Sequence, residues 1–249
     1  MSMTALLDAI KQAVITTIPQ KNIGIAFSGG VDSTLVAKIC TDLGYNVTLL
    51  TIGFPESHDI LFAKQVNEYL KLPHNVLEIN SKYFSRVISY IHNVINTENL
   101  SWNENCIAFY YVSELAKSLD IKIVVTANGI DELFCGYNAY RNAILLGEDE
   151  VNRLMDYKLE NEQNMMKAVN LVASQFGVKI LQPLLSENFI KFSKSVPIIE
   201  KIHDADDLMR KHAIRQLAFE IGLPEFVANK RKKALQYGSK IHKHLLKTR

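Results

Sequence analysis

The chain has 249 residues, of which 48% are hydrophobic and 22% are charged, a composition typical of a soluble globular protein with a core of ordinary size. Its 28 basic and 26 acidic side chains give a formal net charge of +2, which favours neither nucleic acid nor an anionic membrane as a partner. Three widely spaced cysteines without a C-x-x-C pair match neither a disulfide framework nor a zinc site. We therefore expect a protein of the reducing cytoplasm. We expect no membrane-spanning helix, because no apolar run approaches about 18 residues.

The first half of the chain alternates between two kinds of pattern. The N-terminal segment MSMTALLDAIKQAV has an acid, Asp8, inside its apolar pattern and predicts an amphipathic helix rather than a signal peptide. The predicted strands that follow are 22–27, 46–52, 75–79 and 121–126, and the predicted helices are 32–43, 57–70, 83–95 and 104–119. Strands rich in Val, Ile and Leu between helices predict an α/β fold with a doubly wound parallel sheet.

The pattern becomes mostly helical after residue 147. Residues 148–176 predict one or two helices, residues 178–181 a last strand, and residues 185–195 and 204–221 further helices before a basic tail. We therefore predict two parts, an α/β part over residues 1–147 and a mostly helical C-terminal part over residues 148–249. No flexible linker separates them in the sequence, so we expect the second part to pack on the first.

The string SGGVDS, here called the glycine loop (residues 28–33), follows the first predicted strand and opens a helix. Gly29 and Gly30 allow backbone N–H groups to turn toward a phosphate, and the following helix adds partial positive charge. Ser28 and Ser33 supply hydroxyl donors. Asp32 would repel a phosphate but suits magnesium, which takes oxygen ligands. The alternative is a plain strand-to-helix turn capped by Asp32 or Ser28.

The glycine loop lacks the G-K-[ST] of a Walker loop and resembles the pyrophosphate-binding loop of the N-type ATP pyrophosphatases. This superfamily includes asparagine, GMP, NAD and argininosuccinate synthetases and tRNA thiolases. The resemblance implies an adenine nucleotide alpha hydrolase-like fold. It also implies that ATP is cleaved between its α and β phosphates with magnesium, that a substrate is adenylated, and that a nucleophile displaces AMP.

The segment TIGFPESHDILFAKQV (residues 51–66) resembles the segment after the second strand of asparagine synthetases through Gly53, Ser57 and Asp59. The resemblance implies that the end of this strand faces adenine. The implied nucleotide contacts are Leu50, Thr51, Ile52 and Gly53. Ser57 also suits the N-cap of the following helix, and the two roles are compatible.

The signature segment, NGIDELFCGYNAYR (residues 128–141), resembles the G-x-D-E-L-F-G-G-Y string of asparagine and β-lactam synthetases. It follows a predicted strand, so we expect it at the same sheet edge as the glycine loop. The resemblance implies that Asp131 and Asp32 clamp one magnesium ion, that Glu132 orients the loop or the second metal shell, and that Gly129 contacts the nucleotide. The alternative is a surface acid pair that caps the next helix.

The C-terminal segment ANKRKKALQYGSKI (residues 228–241) matches a family region with a lysine in an R-x-K-like context. The resemblance assigns this role to Lys232, with Lys233 as the rival. An ammonium there would stabilise negative charge as it moves onto the leaving group. The alternative is a solvated basic tail or an RNA-binding arm, for which the interleaved Tyr237 is also suitable.

Three positions depart from the family pattern. Asn128 stands where the family usually has a carboxylate, and an amide cannot act as a general base. Glu104 lies near the place of an arginine that binds the amino-acid substrate in bacterial asparagine synthetases. Cys135 replaces a glycine and is interpreted as a small buried residue. We therefore expect slow or absent asparagine formation from aspartate and ammonia, with adenylation or ATP binding retained.

Together these features predict an ATP-dependent, AMP-forming ligase that adenylates a small-molecule carboxylate. The family's glutaminase domains begin with a cysteine after the initiator methionine, whereas residue 2 is Ser2. We therefore expect nitrogen to come from free ammonia or a separate glutaminase. Two alternative functions stay open, namely a tRNA-modifying enzyme of the same superfamily and a non-catalytic nucleotide-binding homologue. The sequence also leaves open whether the chain forms a homo-oligomer.

Overall fold

The computed structural model describes residues 2–231 and 233–247. It contains a five-stranded sheet in the order β3-β2-β1-β4-β5, in which every neighbouring pair is parallel. The strands are β1 Asn22–Ala26, β2 Asn46–Gly53, β3 His74–Glu78, β4 Ile123–Val125 and β5 Lys179–Leu181. The predicted α/β fold with a parallel sheet is confirmed, and the predicted last strand is β5.

The helices cover most of the remaining chain. They are α1 Met3–Thr17, α2 Val31–Asp42, α3 His58–Leu70, α4 Ser81–Ile95, α5 Leu100–Ser118, α6 Ile130–Leu133, α7 Ala139–Ile144, α8 Glu148–Ser174, α9 Glu187–Ser195, α10 His212–Glu220, α11 Glu225–Ala228, α12 Leu235–Gly238 and α13 Ile241–Leu246, with 3₁₀ turns at Pro183–Leu185 and Ile198–Glu200. Within the described ranges, no helix has both the length and the apolar character needed to cross a membrane.

One predicted helix is shorter than expected. Residues 204–221 predict a helix, but α10 begins only at His212. The Asp207 side chain accepts hydrogen bonds from the N–H groups of Met209 and Arg210, both at 2.9 Å. Arg210 and Lys211 then take positive φ angles of 48° and 56°. Local bonding by an aspartate competes here with helix formation, and it places Lys211 at the start of α10 in a left-handed conformation.

The sheet places the glycine loop at a position where ligands bind in such folds. β1 pairs with β2 on one side, from Asn22 opposite Asn46 to Ala26 opposite Leu50, and with β4 on the other. The chain order therefore reverses between β1 and β4, and ligands of open α/β sheets bind beyond the carboxyl ends of strands at this switch point. The loop after β1 is the glycine loop. Strands β1, β2 and β4 are largely buried, as a covered parallel sheet requires, whereas every residue of the edge strand β3 is at least partly exposed.

The described chain divides into two compact units, each assembled from three segments. The sheet unit comprises residues 20–126, 165–181 and 233–249, and the helical unit comprises residues 1–19, 127–164 and 182–232. Within the helical unit, α1 packs on α9, α10 and the turn at Pro183–Leu185. These units interleave along the chain, whereas the predicted boundary at residue 147 follows chain order. That boundary stays a prediction.

Candidate active site

The glycine loop is shaped by steric limits at Gly29 and by short-range hydrogen bonds. Gly29 has φ 75°, and a Cβ there would lie 3.0 Å from the Cα of Ala63, so the position requires glycine on both counts. Ser28 Oγ accepts from the Gly30 N–H at 3.4 Å, and Ser33 Oγ donates to the Gly30 carbonyl at 3.2 Å. The loop is therefore tightly turned with small side chains, as a phosphate cradle needs.

Helix α2 begins directly after the loop. Its N-cap is Gly30, with no side-chain capping bond, so neither Asp32 nor Ser28 is its N-cap residue. Asp32 lies in the first turn of α2 and is half-buried. Its carboxylate is a hard oxygen donor of the kind that magnesium prefers. Asp32 belongs to the sheet unit and Asp131 to the helical unit, and their joint binding of one ion stays a prediction.

The predicted adenine contacts at the end of β2 are all buried, namely Leu50, Thr51, Ile52 and Gly53. The Leu50 side chain packs over Gly24, where an added Cβ would lie 2.6 Å from Leu50 Cδ1. The Thr51 hydroxyl donates to the Phe27 carbonyl at 2.7 Å. These contacts fix the strand beside the glycine loop. Contact with adenine stays a prediction.

The sheet corner, formed by Gly53, Ser57 and Asp59, contains two buried polar atoms. Ser57 is the N-cap residue of α3 but makes no side-chain capping bond. Among the described residues, Ser57 Oγ and Asp59 Oδ2 are buried without a hydrogen-bond partner. Polar groups buried in this way are uncommon and costly in native proteins. The corner therefore contains two buried polar atoms whose loss of hydration is not offset by hydrogen bonds within the described residues.

Gly238 and Ser239 of the C-terminal segment lie against the sheet corner. A Cβ on Gly238 would lie 1.9 Å from Asp59 Oδ1, and the Phe54 N–H donates to the Ser239 carbonyl at 3.0 Å. Burial raises the pKa of Asp59 to about 7, and the charge of Lys233 opposes this rise. Lys233, the alternative to Lys232 as the phosphate-binding lysine, thus places a positive charge that lowers the pKa of Asp59. Lys232 lies outside the described residues.

The signature segment is held by Glu132, which is 2% exposed. Its carboxylate accepts from the Gly129 N–H at 3.1 Å and from the Tyr137 hydroxyl, and its backbone carbonyl accepts from the Tyr140 hydroxyl at 2.6 Å. Gly129 has φ 110°, and a Cβ there would lie 2.5 Å from the Leu184 carbonyl oxygen. Glu132 therefore acts as an internal brace of this loop.

The cysteine that departs from the family pattern is explained by its backbone. Cys135 is fully buried with φ 59°, a conformation that favours glycine. Burial raises the pKa of its thiol to about 12, so the thiol stays protonated near neutral pH. This agrees with its interpretation as a small buried residue.

The next residue, Gly136, has no room for a side chain, because a Cβ would lie 1.9 Å from Asp131 Oδ1.

Asp131 is paired with a buried lysine that nothing in the sequence marks. Lys211 is 1% exposed, and its Nζ lies 3.1 Å from Asp131 Oδ1. The neighbouring Arg210 donates to the Gly136 carbonyl at 3.3 Å. The sequence predicts a continuous helix over residues 204–221 and gives no reason to single out Lys211. In the structure, the turn held by Asp207 precedes α10, and Lys211 at the start of this helix pairs with Asp131. The predicted metal ligand thus already has an ammonium group beside it.

Two of the departures from the family pattern have specific partners. Glu104 is buried, and its Oε1 lies 2.5 Å from Nδ1 of His242, so the C-terminal helix α13 binds the acid that replaces the expected arginine. Asn128 Nδ2 donates to Glu162 Oε1 at 2.5 Å. Glu162 comes from α8 and was not predicted, because its polar surroundings in the sequence are typical of a solvated helix face. A carboxylate therefore lies next to position 128 after all.

A separate cluster in the helical unit has the residue types of a metal site. The side-chain donors of His203, Asp207 and His212 lie within 4.8 Å of one another. The two imidazole rings are stacked at 3.7 Å with an interplanar angle of 6°, so their in-plane lone pairs do not converge on one ion. Asp207 Oδ2 instead accepts from the His203 N–H at 3.0 Å and lies 2.6 Å from His212 Nε2. This arrangement caps the turn before α10.

Comparison with known proteins indicates the family. The asparagine synthase family model matches residues 5–175. A putative glutamine-hydrolysing asparagine synthetase 1 of Methanocaldococcus jannaschii is 27% identical over 93% of this chain and 48% of its own length. Asparagine synthetase B of Escherichia coli K12 is 25% identical over 94% of this chain and 44% of its own length. The chain thus spans about half the length of these curated relatives.

A solved structure supports the fold. NMN synthetase from Francisella tularensis superposes with a TM-score of 0.50 at 14% identity, over 94% of this chain and 75% of that chain. At this identity the likeness concerns the fold alone. The family match covers more than half of the chain and includes both the glycine loop and the signature segment. The resemblance seen in these motifs is therefore confirmed, and the chain belongs to the asparagine synthase family.

Proposed function

We propose that this chain is an ATP-dependent, AMP-forming ligase that adenylates a small-molecule carboxylate and releases pyrophosphate. The observation that carries the proposal is the glycine loop, a tight turn at the switch point of the sheet in which Gly29 has no room for a side chain. Family membership supports the same chemistry. The backbone N–H groups of this loop bind the pyrophosphate part of ATP, and the buried end of β2 lies against adenine.

Magnesium fits the residues available. Asp32, in the first turn of α2, is a half-buried carboxylate next to the glycine loop, and Asp131 is the second proposed ligand. Bound magnesium would neutralise charge on the phosphate oxygens. Oδ1 of Asp131 forms an ion pair with the Lys211 ammonium group. The negative charge of this carboxylate is therefore neutralised in the absence of a metal. Glu132 braces the loop that carries Asp131.

The phosphate-facing lysine is proposed to be Lys233 rather than Lys232. In an R-x-K pattern counted from Arg231, the lysine falls at Lys233, and its charge acts on Asp59 at the sheet corner. Lys232, to which the sequence resemblance assigns this role, is the alternative. Lys233→Ala is expected to slow pyrophosphate release far more than Lys232→Ala, and the reverse order would restore the first assignment.

The experiment is a pyrophosphate-release assay with ATP, magnesium and a panel of amino acids and dicarboxylic acids. Asp32→Asn is expected to abolish magnesium-dependent release while circular dichroism stays native. Asp42→Asn, at the exposed other end of α2, is the matched control and should keep native rates. Unchanged turnover in Asp32→Asn would remove Asp32 from the metal site. Absence of release with every carboxylate in the native chain would overturn the proposed function.

A further inference from the structure

The net charge of +2 conceals an uneven distribution of charge along the chain. Residues 226–249 contain eight basic side chains and no acidic one, which leaves 20 basic and 26 acidic side chains for residues 1–225. The C-terminal end is thus strongly cationic, and the rest of the chain has a formal net charge of −6. Ordinary solvated surfaces mix both signs, whereas a block of one sign is typical of a segment that binds a partner.

Helix α13 carries part of this charge and is fixed to the sheet unit. It contacts α5 and buries Ile241 and Leu245. The ring of His244 stacks on that of Phe54, with 3.5 Å between the ring centroids and an interplanar angle of 7°. One face of α13 is therefore occupied by contacts within the protein, and the lysines of this region lie outside that face.

The lysines around α13 bring their charges close together. Lys243 and Lys247 are exposed, and Lys240 is partly exposed. The pKa of His244 is lowered by burial and by the charges of Lys247, Lys243 and Lys240. None of the ion pairs formed by the described residues involves Lys243 or Lys247. These cations repel one another in the free protein, so an anionic partner would stabilise the arrangement.

Two exposed aromatic rings lie in the helices next to α13. Tyr237 of α12, a helix in contact with α13, is 52% exposed. Tyr83, in the first turn of α4, is 57% exposed, and the guanidinium of Arg86 lies 5.7 Å from the centre of its ring. The adjacent Phe84 lies 6.3 Å from His244, which places the start of α4 beside α13. Exposed rings among cations are the combination on which nucleic-acid bases stack.

We propose that this surface binds single-stranded nucleic acid. The surface, here called the basic face, consists of Tyr237, Lys240, Lys243 and Lys247 with Tyr83 and Arg86 of α4. Its cationic side chains contact the phosphates of the strand, and its exposed rings stack on unpaired bases. The proposal goes beyond the ligase activity proposed above and does not depend on it.

An anionic membrane and a nucleic-acid duplex suit the basic face less well. A helix that lies in a membrane interface needs a broad apolar side, but α13 buries Ile241 and Leu245 inside the protein and exposes only Leu246 among its apolar side chains. A duplex offers phosphates to the lysines, but its bases are already stacked and unavailable to Tyr237 and Tyr83. A single strand uses both the charges and the rings.

The test is fluorescence anisotropy of the full chain with labelled strands of about 20 nucleotides, longer than the usual site size. One strand is oligouridine RNA and the other oligothymidine DNA. Three or four phosphate contacts should make the logarithm of the association constant fall against the logarithm of salt concentration with a slope of about −2 to −3. Binding of either strand with this slope supports the proposal, and the tighter of the two identifies the preferred sugar. A slope near zero would reject the phosphate contacts.

Charge reversal locates the binding surface. Lys243→Glu combined with Lys247→Glu is expected to weaken strand binding at least about tenfold, because two attractive charges become repulsive. Lys117→Glu combined with Lys191→Glu makes the same change in net charge at exposed lysines of α5 and α9 and should bind as the native chain does. Equal losses in the two double variants would attribute binding to net charge alone and overturn the basic face.

The aromatic contact has its own matched pair of variants. Tyr237→Ala is expected to weaken binding about tenfold through loss of base stacking, whereas Tyr237→Phe keeps the ring and should retain native affinity. Native affinity in Tyr237→Ala would remove this ring from the surface. Lys243→Gln combined with Lys247→Gln removes the charges without reversing them, and it decides the question if the double glutamate variant does not fold.

Competing partners complete the experiment. A duplex of the same length and vesicles of phosphatidylglycerol and phosphatidylcholine are measured alongside the single strands. Binding to vesicles alone, or to none of these partners at low salt, would overturn the proposal, and equally tight duplex binding would reject stacking on unpaired bases. Pyrophosphate release should be native in the Lys243→Glu, Lys247→Glu variant, so failure of the ligase proposal and failure of the basic face are told apart.

Discussion

The glycine loop and the signature segment are held by different kinds of contact. In the glycine loop, the bonds of Ser28 and Ser33 join residues no more than five positions apart, at 3.2–3.4 Å. In the signature segment, Asp131 pairs with Lys211, 80 positions away, and Asn128 with Glu162, 34 positions away. One loop is thus shaped locally by glycine geometry, and the other by charged groups brought from distant helices. Substitutions should therefore affect the two loops through different mechanisms.

The largest effect on stability is expected from Lys211→Met. This change leaves the Asp131 carboxylate beside Gly136 without the buried ammonium, and breaking a buried ion pair from one side typically costs about 3–5 kcal/mol. We expect a loss of about 3 kcal/mol in the free energy of unfolding in urea, the lower end of this range, because Asp131 is 20% exposed. Lys194→Met removes an exposed pair with Asp156 and should cost less than about 1 kcal/mol. Equal losses in the two variants would remove the contrast between a buried and a surface charge pair.

A smaller effect is expected from Gly29→Ala, with Gly44→Ala as its control. Both glycines have φ near 75°, but only Gly29 has neighbours within 4 Å of an added Cβ. The left-handed backbone costs about 1–2 kcal/mol for alanine, and crowding against Ala63 adds about 1 kcal/mol or more. In urea unfolding, Gly29→Ala should therefore lose more stability than Gly44→Ala. If both variants lose the same amount of stability, the left-handed backbone alone accounts for the glycine at position 29.

The smallest effect concerns the sheet corner and depends on pH. Burial raises the pKa of Asp59 to about 7, above the value of about 3.9 expected in the unfolded chain. The folded state therefore holds this proton more tightly, and the native chain should lose stability relative to Asp59→Asn as pH rises from about 4 to about 7. We expect a difference on the order of 1 kcal/mol between pH 5 and pH 7.

Urea unfolding of the native chain and Asp59→Asn at several pH values measures this difference. Asp42→Asn, which alters an exposed pair with Lys38, should show no comparable trend. A constant difference between the native chain and Asp59→Asn across the range would show that Asp59 keeps an ordinary pKa. In that case the buried oxygen of Asp59 would have a partner in solution. The contrast with Asp131, which has an ammonium group within bonding distance, would then disappear.

Local patterns were sufficient to predict the sheet and the glycine loop. Strand and helix periodicity over residues 22–126 gave the first four strands, because each short apolar run is followed by a helix of clear spacing. The sharp turn at Gly29 is also a local property. The resemblance of the glycine loop and the signature segment to asparagine synthetases identified the family correctly.

The partners of the signature segment could not be predicted in this way. Lys211 lies in a stretch with helix-like composition, and the turn that redirects it depends on the hydrogen bonds of Asp207. Glu162 is one of several acids on α8, and only tertiary packing distinguishes it from the exposed Glu160. The Glu104–His242 pair joins residues 138 positions apart. Contacts of this range have no signature in a single sequence.

The interleaving of the two units has a consequence for how the chain reaches its native state. The sheet acquires its last strand only from residues 179–181, and the β2–α3 connection receives a hydrogen bond from Lys240 to the Pro55 carbonyl, 185 positions apart. Contacts of such high sequence separation slow folding, because chain entropy is lost before they form. A fragment ending at residue 147 would lack β5, the edge strand that covers β4. On a ribosome, such a nascent fragment would expose an open strand edge and be prone to association with other chains.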